Sequence, residues 1–374
     1  MEIYNATNST LIEGSNSDDF IENVASSVTI LAYNGDDTVE HNYNNSSALA
    51  KVYIDGGKGN DLISGTNPRY YDSTIYGGEG NDSIFATTKS AAGTRNTFFT
   101  GDDGNDFIQV RGNGNNPKFA NTIQGGAGND TIIDAYEYAS ISGGDGNDSI
   151  KIDSLFGGAV NGDAGNDTIS VYTKHYGATL SGGAGDDVIS VSGGGDGVGG
   201  ASYNYNFIRG DAGNDTVYSN ATYFEINSGD GNDYIALEGG GSYNTILSGK
   251  GDDTIRLSSM NNIVNYGAGT GNDVIFGFNT SDTLKLAESK IVSIGTLGDD
   301  VIICTGEKDS LTIKDGANRT LNIQLANGKS MSTVISDSIL KLSGTANADS
   351  IRSFLDSVTI DAGAVFYREG IFFA

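Results

Sequence analysis

From about residue 10 to residue 280 the apolar residues of the chain do not gather in runs. They recur in pairs such as Ile54 with Ile63, Ile75 with Ile84 and Ile123 with Ile132, separated by glycine and polar residues. The later member is always Ile or Val and stands two residues after an aspartate, as in Val39, Ile63, Ile84, Ile132, Ile189 and Ile275. The earlier member stands seven residues before that aspartate: Ile54, Ile75, Phe99, Ile123, Ile141, Val160, Leu180, Ile208, Ile226 and Ile246. Two short strands flanking a glycine turn are expected in each copy, because so few apolar residues, bounded by turn residues, cannot mark a longer element.

The aspartates that close these turns are Asp37, Asp61, Asp82, Asp106, Asp130, Asp148, Asp167, Asp187, Asp215, Asp233, Asp253 and Asp273, with a degenerate thirteenth copy upstream ending at Asp19. In the twelve full copies the residue two before the aspartate is glycine, and the residue between is Asn or Asp. The steps from Asp19 onward are 18, 24, 21, 24, 24, 18, 19, 20, 28, 18, 20 and 20 residues, never below 18. A flattened coil of strand, turn, strand, turn needs about 18 residues, and stacked coils pair like strands in parallel at roughly 4.8 Å. The fold class expected is therefore all-β, a parallel β-roll or β-solenoid with every glycine turn along one edge. Residues in excess of 18 fall on the opposite edge, where Pro68, Pro117 and the longest insertion, Gly193 to Asn206, are placed.

A phrase such as Gly77-Gly78-Glu79-Gly80-Asn81-Asp82 does more than reverse the chain, since glycine allows the backbone to turn its carbonyl oxygens inward. Calcium takes six to eight oxygens at about 2.3 to 2.6 Å, more than one turn offers, but two stacked turns supply an aspartate each plus carbonyls. Tight turns alone would accept Asn at the closing position, which never carries it, and stacked carboxylates without a cation would repel. The pattern resembles the GGxGxDxUx calcium-binding repeat of RTX proteins over roughly residues 10 to 280. That resemblance implies calcium ligands at Asp19, Asp37, Asp61, Asp82, Asp106, Asp130, Asp148, Asp167, Asp187, Asp215, Asp233, Asp253 and Asp273, in one row of ions because only one turn per coil carries the motif. Asp102, Asp163 and Asp211, at the second position of their turns, are candidate additional ligands.

The bulk composition changes the picture in one direction. With 55 glycines and 37% hydrophobic residues among 374, a thick conventional core is excluded, and the net charge of −27 argues against nucleic acid or anionic membrane as partner and for cations. Thirteen turns leave at most twelve gaps, and twelve Ca²⁺ would bring −27 to −3. The single cysteine, Cys304, excludes an internal disulfide and is expected as a buried strand residue. The start, MEIYNATNST, has no basic region before an apolar run, and no apolar stretch of 18 residues occurs, so neither a signal peptide nor a membrane span is expected.

The expected organisation is a β-roll over 1–280, a small antiparallel β-domain over 281–338 that covers the open strand edges, and a third segment over 339–374. The strands expected in the second are Thr283 to Leu286, Lys290 to Ile294, Asp300 to Cys304, Ser310 to Lys314 and Leu321 to Leu325. Residues 342 to 360 echo residues 11 to 30 and read as the start of a truncated second array; the alternative, resting on Glu369 before Ile371, Phe372 and Phe373, is an ending similar to that of type I secretion substrates.

Neither HExxH nor GxSxG occurs, and the two histidines, His41 and His175, read as solvated and not catalytic. No enzyme is expected. Tyr70, Tyr71, Tyr136, Tyr138, Tyr172, Tyr176, Tyr203, Tyr205, Tyr223 and Tyr243 recur beside the variable edge, either stacked on one another or presented to a glycan or protein. The function expected is a secreted, extracellular or cell-surface module, structural or adhesive, that folds on calcium and would suit type I secretion. The alternative is a carbohydrate-active enzyme or a glycan-binding domain on a solenoid scaffold.

Overall fold

The computed structural model describes residues 1–8, 10–42, 51–65, 70–87, 94–111, 120–135, 138–155, 157–173, 177–193, 206–267, 271–286, 293–305, 309–325, 330–336 and 339–342. All regular structure among them is β. The chain divides into two compact units, Met1–Asn204 and Tyr205–Ala374. Pro68, Pro117, His175, Tyr136, Tyr176, Tyr203, Tyr205, the body of the longest insertion and the segment 343–374 lie outside the described residues.

In the first unit each coil carries a leading strand that enters the glycine turn and a trailing strand that leaves it. Leading strands such as Val52–Lys58, Thr74–Glu79, Phe98–Asp103 and Thr122–Ala127 pair in parallel, and so do trailing strands such as Leu62–Ser64, Ser83–Thr87, Phe107–Arg111 and Thr131–Asp134. Like positions stay in register whatever the step: Ile123 faces Phe99 across a step of 24 and Ile141 across one of 18. A slip of one residue would expose each inward Ile, so burial holds the register and excess residues are left out of the pairing. The core is two facing rows of single side chains, among them Ile54, Ile75, Phe99 and Ile123 on the leading side and Ile63, Ile84, Ile108 and Ile132 on the trailing side, all buried.

The second unit repeats this plan through the leading strands Phe224–Asp230, Thr245–Lys250 and Ile263–Tyr266 and the trailing strands Tyr234–Leu237, Thr254–Leu257 and Asn272–Phe276. The stack then runs further than the sequence suggested. Thr283–Leu286 pairs in parallel with Ile263–Tyr266, Thr320–Leu325 with Thr283–Leu286, and Ser310–Ile313 with Asn272–Phe276, so three of the five segments expected to be antiparallel extend the solenoid sheets. Each has the same alternation as the coils above it, with Leu284, Leu286, Leu311, Ile313 and Ile323 inward, and a buried partner strand is available to it. Antiparallel pairing enters only at the last strands: Asp300–Cys304 runs against both Ser310–Ile313 and Ser293–Leu297, and Ser330–Ser336 against both Thr320–Leu325 and Ile339–Leu342. Cys304 lies on a strand as expected but is half-buried.

Candidate cation row on the turn edge

The thirteen aspartates singled out in the sequence occupy one position: directly before a trailing strand, or at its second residue in the case of Asp273, and no more than 4% exposed. The carboxylates line up because parallel pairing repeats each position one coil on. In the first unit the backbone N–H of each aspartate donates to Oδ1 of the aspartate in the next coil, from Asp19 to Asp37 through Asp167 to Asp187, at 2.7 to 2.8 Å. In the second unit Asp215 donates to Asp233, Asp233 to Asp253 and Asp253 to Asp273 in the same way, at 2.8 to 3.0 Å.

Oδ1 is thereby provided for. Oδ2 is not: in Asp37, Asp61, Asp82, Asp106, Asp130, Asp148 and Asp167 it is buried with no hydrogen-bond partner. A buried ionised oxygen left unpaired is costly, and burial raises the pKa of these groups against the effect of the backbone hydrogen bond, with neighbouring carboxylates adding to the rise. Asp61, Asp82 and Asp130 are pushed up to about 7, Asp106, Asp148 and Asp273 to about 6, and Asp253 to about 8. Asp37, Asp167 and Asp233 are raised for the same first reason, burial. Asp19 differs. Burial acts to raise it, but its oxygens accept from the Met1 ammonium, from Ser15 N–H and from Ser15 Oγ, and together these hold it below the usual carboxylate range.

Except before Asp37, where Ala32 stands, the space beside these oxygens in the first unit is shaped by the glycine five residues upstream. A Cβ on Gly56 would stand 2.4 Å from Asp61 Oδ2 and 2.3 Å from the carbonyl oxygen of Gly77 in the next coil. On Gly125 it would stand 2.2 Å from Asp130 Oδ2 and 2.3 Å from the Gly143 carbonyl, and on Gly162 2.2 Å from Asp167 Oδ2 and 2.4 Å from the Gly182 carbonyl. A carboxylate oxygen and a carbonyl oxygen of successive coils thus converge on a cradle that stays open only because no side chain is there. Oxygens alone, one of them anionic, are the donor set of a hard divalent cation. Among the described residues no three His, Cys, Asp or Glu side chains come together, as follows from one closing carboxylate per coil; two carboxylates border each gap and carbonyls must make up the rest.

The residue before each aspartate has a role the sequence reading missed. Its side-chain oxygen accepts the backbone N–H of the same position one coil on: Asn81 N–H donates to Asn60 Oδ1, Asn105 to Asn81 and Asn129 to Asn105, at 2.6 to 2.8 Å. This ladder points opposite to the aspartate ladder. The requirement for Asn or Asp there was the available signal, since both offer an acceptor, yet it reads equally as turn geometry. A third ladder lies at the start of the leading strands, where Phe224, Asn244 and Asn262 donate N–H to Asn244, Asn262 and Asp282 Oδ1.

Two of the second-position aspartates are held by side chains of the leading strands. Asp102 accepts from Thr100 Oγ1 at 2.9 Å, and Asp163 accepts from Ser142 Oγ and Asn161 Nδ2, all on the leading strands. His41, expected in solvent, is fully buried: Asn23 and Tyr70 pack against it, and burial lowers it to about 4. Tyr70 is likewise a core residue, against His41 and Phe99, while Tyr223 and Tyr243 stack at 5.1 Å, with Tyr243 half-exposed.

The fold and the row define a parallel β-solenoid whose turns fit a divalent cation. The RTX calcium-binding nonapeptide repeat matches the chain at residues 53–67, 70–87, 118–134, 140–151, 205–221 and 268–286, so RTX calcium-binding repeats are present, and calcium is the cofactor. No curated protein matches the sequence. Among solved structures, the chain is similar to a hyperactive, Ca²⁺-dependent, β-helical antifreeze protein from an Antarctic bacterium, at 19% identity over 74% of this chain and 83% of the other, with a TM-score of 0.43. It is also similar to the extracellular lipase LipA from Serratia marcescens, at 18% identity over 63% of this chain and 42% of the lipase, with a TM-score of 0.25. No helix is long and apolar enough to cross a membrane among the described residues.

Proposed function

We propose that this chain is a secreted structural or adhesive module that folds when extracellular calcium joins its stacked turns, with the closing aspartates from Asp19 to Asp273 as side-chain ligands in a row of up to about twelve ions. The observation that carries this reading is the line of buried, unpartnered Oδ2 atoms facing carbonyls of the next coil. Bound calcium supplies the positive charge those oxygens lack. Without it, adjacent buried carboxylates repel one another and oppose stacking. Because half of each cradle comes from each of two coils, the sites do not exist in the unfolded chain, and folding and occupancy are coupled. At the submicromolar calcium of a cytosol the chain stays open; at roughly millimolar calcium outside the cell the row fills, which suits export in an unfolded form. A catalytic role is not part of the proposal.

The test is a calcium titration of EDTA-treated protein with far-UV circular dichroism and equilibrium dialysis on the same sample. The expected result is a cooperative gain of β-structure with about ten ions bound. A protein folded in EDTA that binds one ion or none would overturn the proposal and favour the glycan-binding or carbohydrate-active alternative.

A further inference from the structure

In two coils of the second unit the cradle position carries serine in place of glycine. Ser228 stands five residues before Asp233 and Ser248 five before Asp253, where Gly56, Gly77, Gly125 and Gly162 stand before their aspartates. A side chain at this point enters the space on which the carboxylate of its own coil and the carbonyl of the next converge. Both serines are fully buried, and their hydroxyls point into the junctions: Ser228 Oγ reaches the carbonyl oxygen of Ser248, and Ser248 Oγ lies 3.0 Å from Asp273 Oδ2. Each hydroxyl also hydrogen-bonds the carboxylate of its own coil, Ser228 that of Asp233 and Ser248 that of Asp253.

Each junction therefore holds one oxygen more than its glycine counterparts. Between the coils of Asp253 and Asp273, Ser248 Oγ meets the carboxylates of both; between those of Asp233 and Asp253, Ser228 Oγ meets the Asp233 carboxylate and the Ser248 carbonyl. A hydroxyl has two lone pairs besides its proton, and by rotating it can present one to a cation. We propose that Ser228 and Ser248 are hydroxyl ligands, so that these two junctions are cation sites of a second type, with a neutral side-chain oxygen added to the carboxylates and carbonyls. The inference rests on the calcium reading above. An added oxygen favours the large coordination shell of calcium over magnesium's octahedron, so these two sites bind calcium more tightly and more selectively than the glycine cradles.

The experiment compares the full-length protein with the S228A/S248A double variant by equilibrium dialysis across free calcium, in the presence of millimolar magnesium, with circular dichroism confirming the fold at saturating calcium. Expected is a variant that binds two fewer ions in the low-calcium part of the isotherm, their affinity reduced by about tenfold, the remaining ions unchanged. The S228G/S248G variant, which gives these coils the cradle that the others already use, is expected to show the same loss and guards against misfolding of the alanine form. An isotherm identical to that of the wild type, or one with more ions bound, overturns the hydroxyl-ligand proposal while leaving the calcium row standing. A wild type that binds no calcium overturns both.

Discussion

Gly80 shows what one position of the turn tolerates. Its φ is +134°, and a Cβ on it would lie 1.8 Å from the Gly59 carbonyl of the preceding coil. Gly80→Ala is expected to cost at least about 3 kcal/mol, backbone strain and a clash with main chain that cannot move, read as a lower melting temperature in saturating calcium. Two residues upstream the chain is more permissive: Asp102, Asp163 and Asp211 replace glycine with φ of 72°, 77° and 76°, a left-handed conformation that aspartate adopts. That difference was legible in the sequence, where the position before Asn or Asp is glycine in every full copy and the earlier one is not. The carboxylates carry a prediction about pH. The unfolded aspartate titrates near 3.9, whereas Asp61, Asp82 and Asp130 are pushed up to about 7 in the fold. Between those values the folded state binds more protons than the unfolded one, so the calcium-free fold loses stability as pH rises from about 4 to about 8. With calcium present the sign reverses, because protons compete for the same oxygens. Far-UV circular dichroism should show opposite pH dependences, with more β signal at pH 5 than at pH 8 in EDTA and, at limiting calcium, more at pH 8 than at pH 5; the same direction in both series would contradict the assignment of Oδ2 to the cation.

At the scale of the strand and turn, the two ladders on the turn edge and the third on the opposite side explain how coils with minimal strands hold together. Asn244 accepts the Phe224 N–H at 2.8 Å and donates its own N–H to Asn262 at 3.0 Å, all of it buried. Asn244→Ala leaves the Phe224 N–H without an acceptor and is expected to cost about 1 to 3 kcal/mol, while its calcium count stays that of the wild type. A chemical denaturation series in saturating calcium reads the first quantity, and dialysis reads the second. If the variant lost ions as well, the two edges would not be independent. This third ladder was illegible in the sequence because a single Asn in front of an apolar residue looks like any loop end, and its role depends on which residue lies one coil away. The turn edge was legible for the opposite reason: every copy repeats it at an unvaried spacing. His41 was misread on the same ground as Asn244. Its neighbours Asn23 and Tyr70 are 18 and 29 residues away in the chain, and only the stacking of coils brings a polar residue of the trailing strand indoors.

For each unit as a whole the balance lies between charge and a thin core. Rows of single isoleucines bury little surface per residue, and the array is acidic, so the fold rests on whatever neutralises the turn edge. The tail was legible in part at this scale: the antiparallel pairing expected there is found at Asp300–Cys304 and Ser330–Ser336, whereas the further parallel pairing of strands such as Ser310–Ile313 is set by the exposed sheet edge already built before them. Neutralisation can be divided into screening and coordination. At 1 M salt the Debye length is about 3 Å, which removes repulsion between exposed charges but does not reach oxygens sealed from solvent. The unpartnered Oδ2 atoms are of the second kind. Sodium chloride at 1 M in EDTA should therefore leave the far-UV circular dichroism close to that of the unfolded chain, whereas calcium at a few millimolar in low salt should fold it. Should salt alone restore the β signal, the surface acidic residues would be the barrier to folding and the buried row would be incidental. The same comparison with magnesium separates charge from coordination number, since magnesium brings equal charge but demands a smaller, octahedral shell. Folding by calcium and not by magnesium at equal concentration is the outcome that a row of carboxylate and carbonyl cradles requires.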